Sequence, residues 1–114
     1  MITTHVAFPI SEPVKTRAEE IIAEIKAHEN PKELAGKLTD VIIAMTEEGL
    51  QFLFVDSLIH AKVPAFQIKA VQMGVNTARK GLELVGRRVL KAMGNPQLKG
   101  IVDYMELILL EVEE

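Results

Sequence analysis

The chain has 114 residues, 48% hydrophobic and 25% charged, with a formal charge of −3, a length that fits one globular domain with one core and is small enough that a partner subunit often completes the burial. One tyrosine and no tryptophan weigh against nucleic-acid stacking platforms and aromatic ligand cages, and the lack of cysteine removes disulfides, thiolate metal sites and cysteine nucleophiles. The small net charge hides segregation: residues 1–60 carry five Lys/Arg against ten Asp/Glu, residues 61–100 eight against one, and residues 101–114 five acids and no base.

In the first ten residues Ile2, Thr4, Val6, Phe8 and Ile10 alternate with Thr3, His5, Ala7 and Pro9. This period of two predicts an extended arm, a short strand or a strap, ahead of a single helical domain over residues 11–114. The opening residues lack the basic n-region and apolar core of a signal peptide, so the expected location is the cytoplasm.

Helix-start signals stand at Asn30-Pro31 and Asn95-Pro96, where Asn is an N-cap acceptor and Pro suits the first helical position. Val63-Pro64 marks a third break, because the residue before proline avoids the helical region. Four helices are predicted near 11–28, 31–61, 64–93 and 96–113. Apolar residues recur every four and three positions: Val14, Ala18, Ile21 and Ile25 in the first helix, and Leu34, Leu38, Val41, Met45, Glu48, Phe52, Val55 and Ile59 in the second. The third helix continues with Ile68, Val71, Val75, Ala78, Leu82, Val85, Val89 and Ala92, and the fourth with Leu98, Ile101, Met105, Ile108 and Val112. Seven-residue seams joined by short loops predict an all-α fold, an antiparallel four-helix bundle with two short outer and two long central helices.

In that bundle the first helix covers the second to about Glu48, and the fourth covers the third from Met93 back to about Asn76. Residues 49–75 then protrude as a tip too apolar to face water. Leu50, Phe52, Leu53, Phe54 and Leu58 from the second helix and Phe66, Ile68 and Met73 from the third are the expected homodimer interface, closed by a two-fold axis. Glu47, Glu48 and Asp56 interrupt the apolar run Val41–Val63, so no membrane span is expected. Gly74 and Gly81 flank the third seam; a helix-interior glycine costs about 1 kcal/mol relative to alanine, and either close approach by a neighbour or tolerated surface glycine explains them.

The chemistry is sparse. Asp56 and His60 are four apart in the apolar tip, beside Ser57, on one helix face. Burial and a carboxylate act in opposite directions on an imidazole, and two copies at a two-fold axis would offer donors suited to zinc. A satisfied polar contact is the preferred reading, and neither a catalytic residue nor a cofactor is assigned. The Glu-x-x-His unit of di-iron bundles is absent, and Glu24 with His28 reads as a solvated stripe. Glu48 sits in the second seam, with Arg79 and Arg88 as candidate partners; a phase drift that hides Ile42, Gly49 and Leu53 instead is preferred.

Arg79, Lys80, Arg87, Arg88 and Lys91, with Lys99 beyond them, form a basic patch able to bind anions. With no recognition-helix motif, neutralisation of Glu19, Glu20, Glu24 and Glu29 on the first helix is preferred over nucleic acid. Phosphate-loop, nucleophile-elbow and zinc-protease spacings are absent. The expected function is a non-catalytic homodimeric interaction or scaffold protein, serving itself or another protein; the alternative is a small-molecule or metal binder, or simple enzyme, with its site around Asp56 and His60.

Overall fold

Prolines and short polar turns divide the chain where expected. The computed structural model describes residues 1–112, among which there is no strand and no helix long and apolar enough to cross a membrane. α1 spans Glu12–Ala27, α3 Ala65–Lys91 and α4 Asn95–Ile108. Between α1 and α3 runs the composite α2: a 3-10 turn at Pro31–Leu34, α-helix at Ala35–Leu50, a π-helical turn at Gln51–Asp56 and a last α-turn at Ser57–His60. α4 ends earlier than its seam predicts, at Ile108, and residue 113, its expected end, lies outside the described residues.

The two Asn-Pro turns meet at one end, although neither asparagine caps its own helix. Asn95 Oδ1 accepts the Lys32 N–H at 3.0 Å and so ties the start of α4 to the start of α2. The cap position of α4 is Gly94, whose N–H donates to Gln97 Oε1 at 2.9 Å. Asn30 has no side-chain cap bond, and its own N–H donates to His28 Nδ1 at 2.9 Å. With the Asn30 side chain making no cap bond, Pro31 starts α2 as a 3-10 turn, which tightens the end where donors lack partners.

At the opposite end, the hairpin turn closes with two carbonyl-capping bonds, Lys62 N–H to Ile59 O at 3.1 Å and Val63 N–H to Leu58 O at 3.0 Å. This motif places a left-handed residue just after the helix, a position that favours glycine. Here it is Lys62, with φ 59°, the one non-glycine residue of positive φ among those described.

Residues 1–11 form an extended arm without regular structure. Its root is fixed by the Ser11 N–H, which donates to Glu48 Oε1 at 2.7 Å. The seam carboxylate therefore caps the start of α1 and does not meet Arg79 or Arg88. Three residues earlier in the arm, the Phe8 ring lies on Gly49, where an added Cβ would come within 2.7 Å of Phe8 Cζ. Phe8 also meets Phe52, with ring centroids 6.5 Å apart. Only a residue without a side chain lets the arm cross α2 there.

The core gathers Ala18, Ile21, Ile22 and Ile25 of α1 with Leu38 and Val41 of α2, Leu98, Val102 and Met105 of α4, and Leu90 at the end of α3. Adjacent Ile21 and Ile22 give α1 an apolar face wide enough for two neighbours, and it packs on both α2 and α4. This corrects the expected cover of α3 by α4: the main partners of α4 are α1 and the 3-10 turn, while α3 rests mainly on α2. Leu90 is the only buried residue of α3.

The chain consequently remains open. Its accessible surface is 8244 Å², against about 6,200 Å² for a closed monomer of its mass. Its radius of gyration is 16.0 Å, where a compact chain of this length has about 13 Å.

Replacing Lys62 by glycine relieves the left-handed backbone without removing any contact described for it. Lys62→Gly is predicted to raise stability by about 1 kcal/mol in urea unfolding; an unchanged or lower midpoint would show that no strain is held there.

Candidate interaction surface

The long hairpin is held by two different seams in series. Near the tip Ile68, Val71 and Val75 of α3 are half-buried, as the apolar repeat predicts. Beyond Val75 the buried face rotates: Arg79, Glu83, Gly86, Arg87 and Leu90 turn inward in place of Ala78, Leu82, Val85 and Val89. The inward residues meet acids of α2. Arg79 lies 3.8 Å from Glu47, Arg87 bonds to Asp40, and Glu83 bridges both arginines at 3.3 and 2.8 Å. The hydrogen bonds that Arg87 donates to Glu83 and Asp40 raise its pKa above the ordinary arginine value. At the level of Gly86 the close partner is the methyl of buried Thr39, whose hydroxyl donates to Ala35 O at 2.8 Å.

Because this ladder takes the inward face, the remainder of the aliphatic seam points outward. Leu82, Val85 and Val89 are 47%, 58% and 48% exposed, and a Cβ added at Gly74 or Gly81 would meet nothing within 4 Å. Sequence reasoning placed this half of the seam inside the chain. The signal that identifies the true inner face is the spacing of charges: Asp40 and Glu47 are seven apart on α2, and Arg79, Glu83 and Arg87 are four apart on α3. Opposite charges at matching helical intervals mark a facing pair.

At the tip, Phe52, Leu53, Phe54, Phe66 and Met73 of the expected interface are exposed, whereas Leu50, Leu58 and Ile68 are half-buried within the hairpin. Val55 is fully buried there. The π-turn widens the helix by a residue per turn, so that positions five apart align, and Gln51 Nε2 donates to Asp56 Oδ1 at 3.4 Å. Ser57 Oγ donates to Leu53 O at 2.7 Å. His60 is exposed in the last turn, and no hydrogen bond or ion pair joins it to Asp56 or Ser57. The structure thus does not join the three through their polar atoms. Among the described residues no group of three or more His, Asp or Glu is arranged to hold a metal ion. The nearest concavity, about 430 Å³ between the arm and α2, is lined by Pro9, Val14, Glu47, Glu48, Phe52 and Asp56 among others, and Glu48 is already engaged by Ser11.

The basic patch divides in two. Arg79 and Arg87 are committed to α2, whereas Lys80, Arg88 and Lys91 form no ion pair among the described residues. The expected neutralisation of first-helix acids by α3 does not occur, because α2 lies between them in the packing order. Glu24 pairs with Lys37 of α2 at 2.9 Å and Glu19 lies 3.9 Å from Lys15. α1 supplies the bases for the acidic C-terminal segment: Lys26 pairs with Glu106 and Lys15 lies 3.1 Å from Glu111. The chain matches no family model, no curated protein and no solved structure.

Glu83 joins both arginines at the surface, where such pairs contribute about 1 kcal/mol or less. Glu83→Ala is predicted to lower stability by that amount at low salt and by markedly less in 1 M salt, measured by urea unfolding at both ionic strengths. A loss independent of salt would mean that packing, not charge, sets the phase of α3.

Proposed function

We propose that this chain is a non-catalytic interaction protein that works as a homodimer. In this reading the finished molecule is an antiparallel four-helix arrangement, with two long central and two short outer helices, completed when a second copy covers what one chain leaves open. The observation that carries the reading is the surface excess: 8244 Å² exposed against about 6,200 Å² for a closed monomer. The open arm accounts for part of that difference. Even half of it, lost from each of two chains, amounts to about 2,000 Å² in total, which reaches the range of obligate dimers.

The character of the excess points the same way. Phe54, Phe66 and Met73 at the tip and Leu82, Val85 and Val89 along α3 are all about half exposed or more, large apolar side chains that a covering partner would remove from water. The polar groups of the tip favour a structural role, since Asp56 and Ser57 satisfy themselves locally. Lys80, Arg88 and Lys91 would remain as a charged helical surface for another macromolecule. The proposed location is the cytoplasm.

Sedimentation equilibrium at micromolar concentration is predicted to return twice the 12.6 kDa chain mass. A species of single-chain mass over the whole concentration range would overturn the reading.

A further inference from the structure

We propose that the outward half of the α3 seam is the centre of the homodimer interface, with the α3 helices of two copies packed antiparallel about a two-fold axis between Gly81 and Leu82. The inference rests on the homodimer reading and specifies which surface forms it.

The stripe consists of Gly74, Ala78, Gly81, Leu82, Val85 and Val89, which at 100° per residue fall within about 100° on one side of α3. Within the chain it has no purpose. Ala78 is exposed and the three aliphatic residues are about half exposed, while the two glycines weaken the helix and face open space within their own chain. Its composition is graded, small residues toward the N-terminal half and large ones toward the C-terminal half. An isologous contact sets each such surface against itself in reverse. With the axis between residues 81 and 82, Gly81 of one chain faces Leu82 of the second copy, Ala78 faces Val85, and Gly74 faces Val89. Every small residue therefore receives a large one, the condition for closely approaching helices with a filled interface. A partner unrelated in sequence would not require this reverse symmetry, and for that reason the occupant is a second copy.

Electrostatics permit the arrangement. Arg88 borders the stripe, and its two copies would be separated by about 20 Å along the axis at 1.5 Å per residue, beyond the screening length of about 8 Å. Lys80 and Lys91 project from the far side of the helix, at the wide angles that 100° per residue assigns them relative to Leu82. The same antiparallel register carries each hairpin tip over the Asn-Pro end of the second copy, while Phe66 and Met73, on the side of α3 that Lys91 shares, stay outside this contact.

The absence of native cysteine makes cross-linking a direct test. Chains carrying Ala78→Cys and chains carrying Val85→Cys are mixed, equilibrated and oxidised, with Phe54→Cys as a tip control. The expected product is the mixed Ala78→Cys/Val85→Cys disulfide, at least tenfold over either self-linked species. Gly81→Leu, which has free space within its own chain, is expected to keep its helical circular dichroism and to weaken dimerisation at least a hundredfold in sedimentation. A native dimer that cross-links only through Phe54→Cys, or one that Gly81→Leu leaves intact, would overturn this interface and leave the homodimer standing. A native chain that sediments as a monomer would overturn both.

Discussion

The orientation of α3 depends on the charge ladder that joins it to α2. Asp40 and Glu47 on one helix, with Arg79, Glu83 and Arg87 on the other, make a facing pair that is polar for two turns. Surface ion pairs contribute little stability individually. Their importance here is geometric: a helix presents one face at a time, and the face given to the ladder leaves Leu82, Val85 and Val89 outside. The outward aliphatic stripe, the open space at Gly81 and part of the excess surface follow from that choice of phase.

The other organising element is α1. Its wide apolar face, with Ile21 and Ile22 side by side, accepts α2 and α4 together. α4 is thus drawn away from α3, and the place a fourth helix would occupy beside α3 is empty within one chain. Lys15 and Lys26 reinforce this pairing by meeting the acids of the C-terminal segment. At the far end of α1, the bond from the Ser11 N–H to Glu48 and the seat of Phe8 on Gly49 draw the arm across α2 at the base of the tip. In the proposed dimer, one chain provides a folded half and a prepared surface, and the second copy provides the cover.

Much of the helix layout was legible in the residues. Proline at 31, 64 and 96 limits where helices begin, and the four-three repeats made helix the only regular structure compatible with most of the chain. The phase of α3 was not legible from hydrophobicity, because two plausible seams, one aliphatic and one charged, lie on adjoining faces of one helix. Complementary spacing of Asp40 and Glu47 with Arg79 and Arg87 carried the answer. The π-turn at Gln51–Asp56 was hidden for a different reason: it preserves helical composition and changes only the hydrogen-bond step, so Asp56 aligns with Gln51 rather than with His60. Lys62 conceals its left-handed turn because the position ordinarily announces itself with glycine.

The central claim is that Leu82, Val85 and Val89 are covered by another copy of α3. Isotope-filtered NMR on dimers of one labelled and one unlabelled chain tests it at atomic range. Cross-peaks are predicted between Val89 methyls of the labelled chain and Gly74 α-protons of the unlabelled one, and between Leu82 methyls and Gly81. A filtered spectrum in which those methyls show no interchain cross-peak, or in which such peaks arise only from Phe54 and Phe66 at the tip, would contradict it.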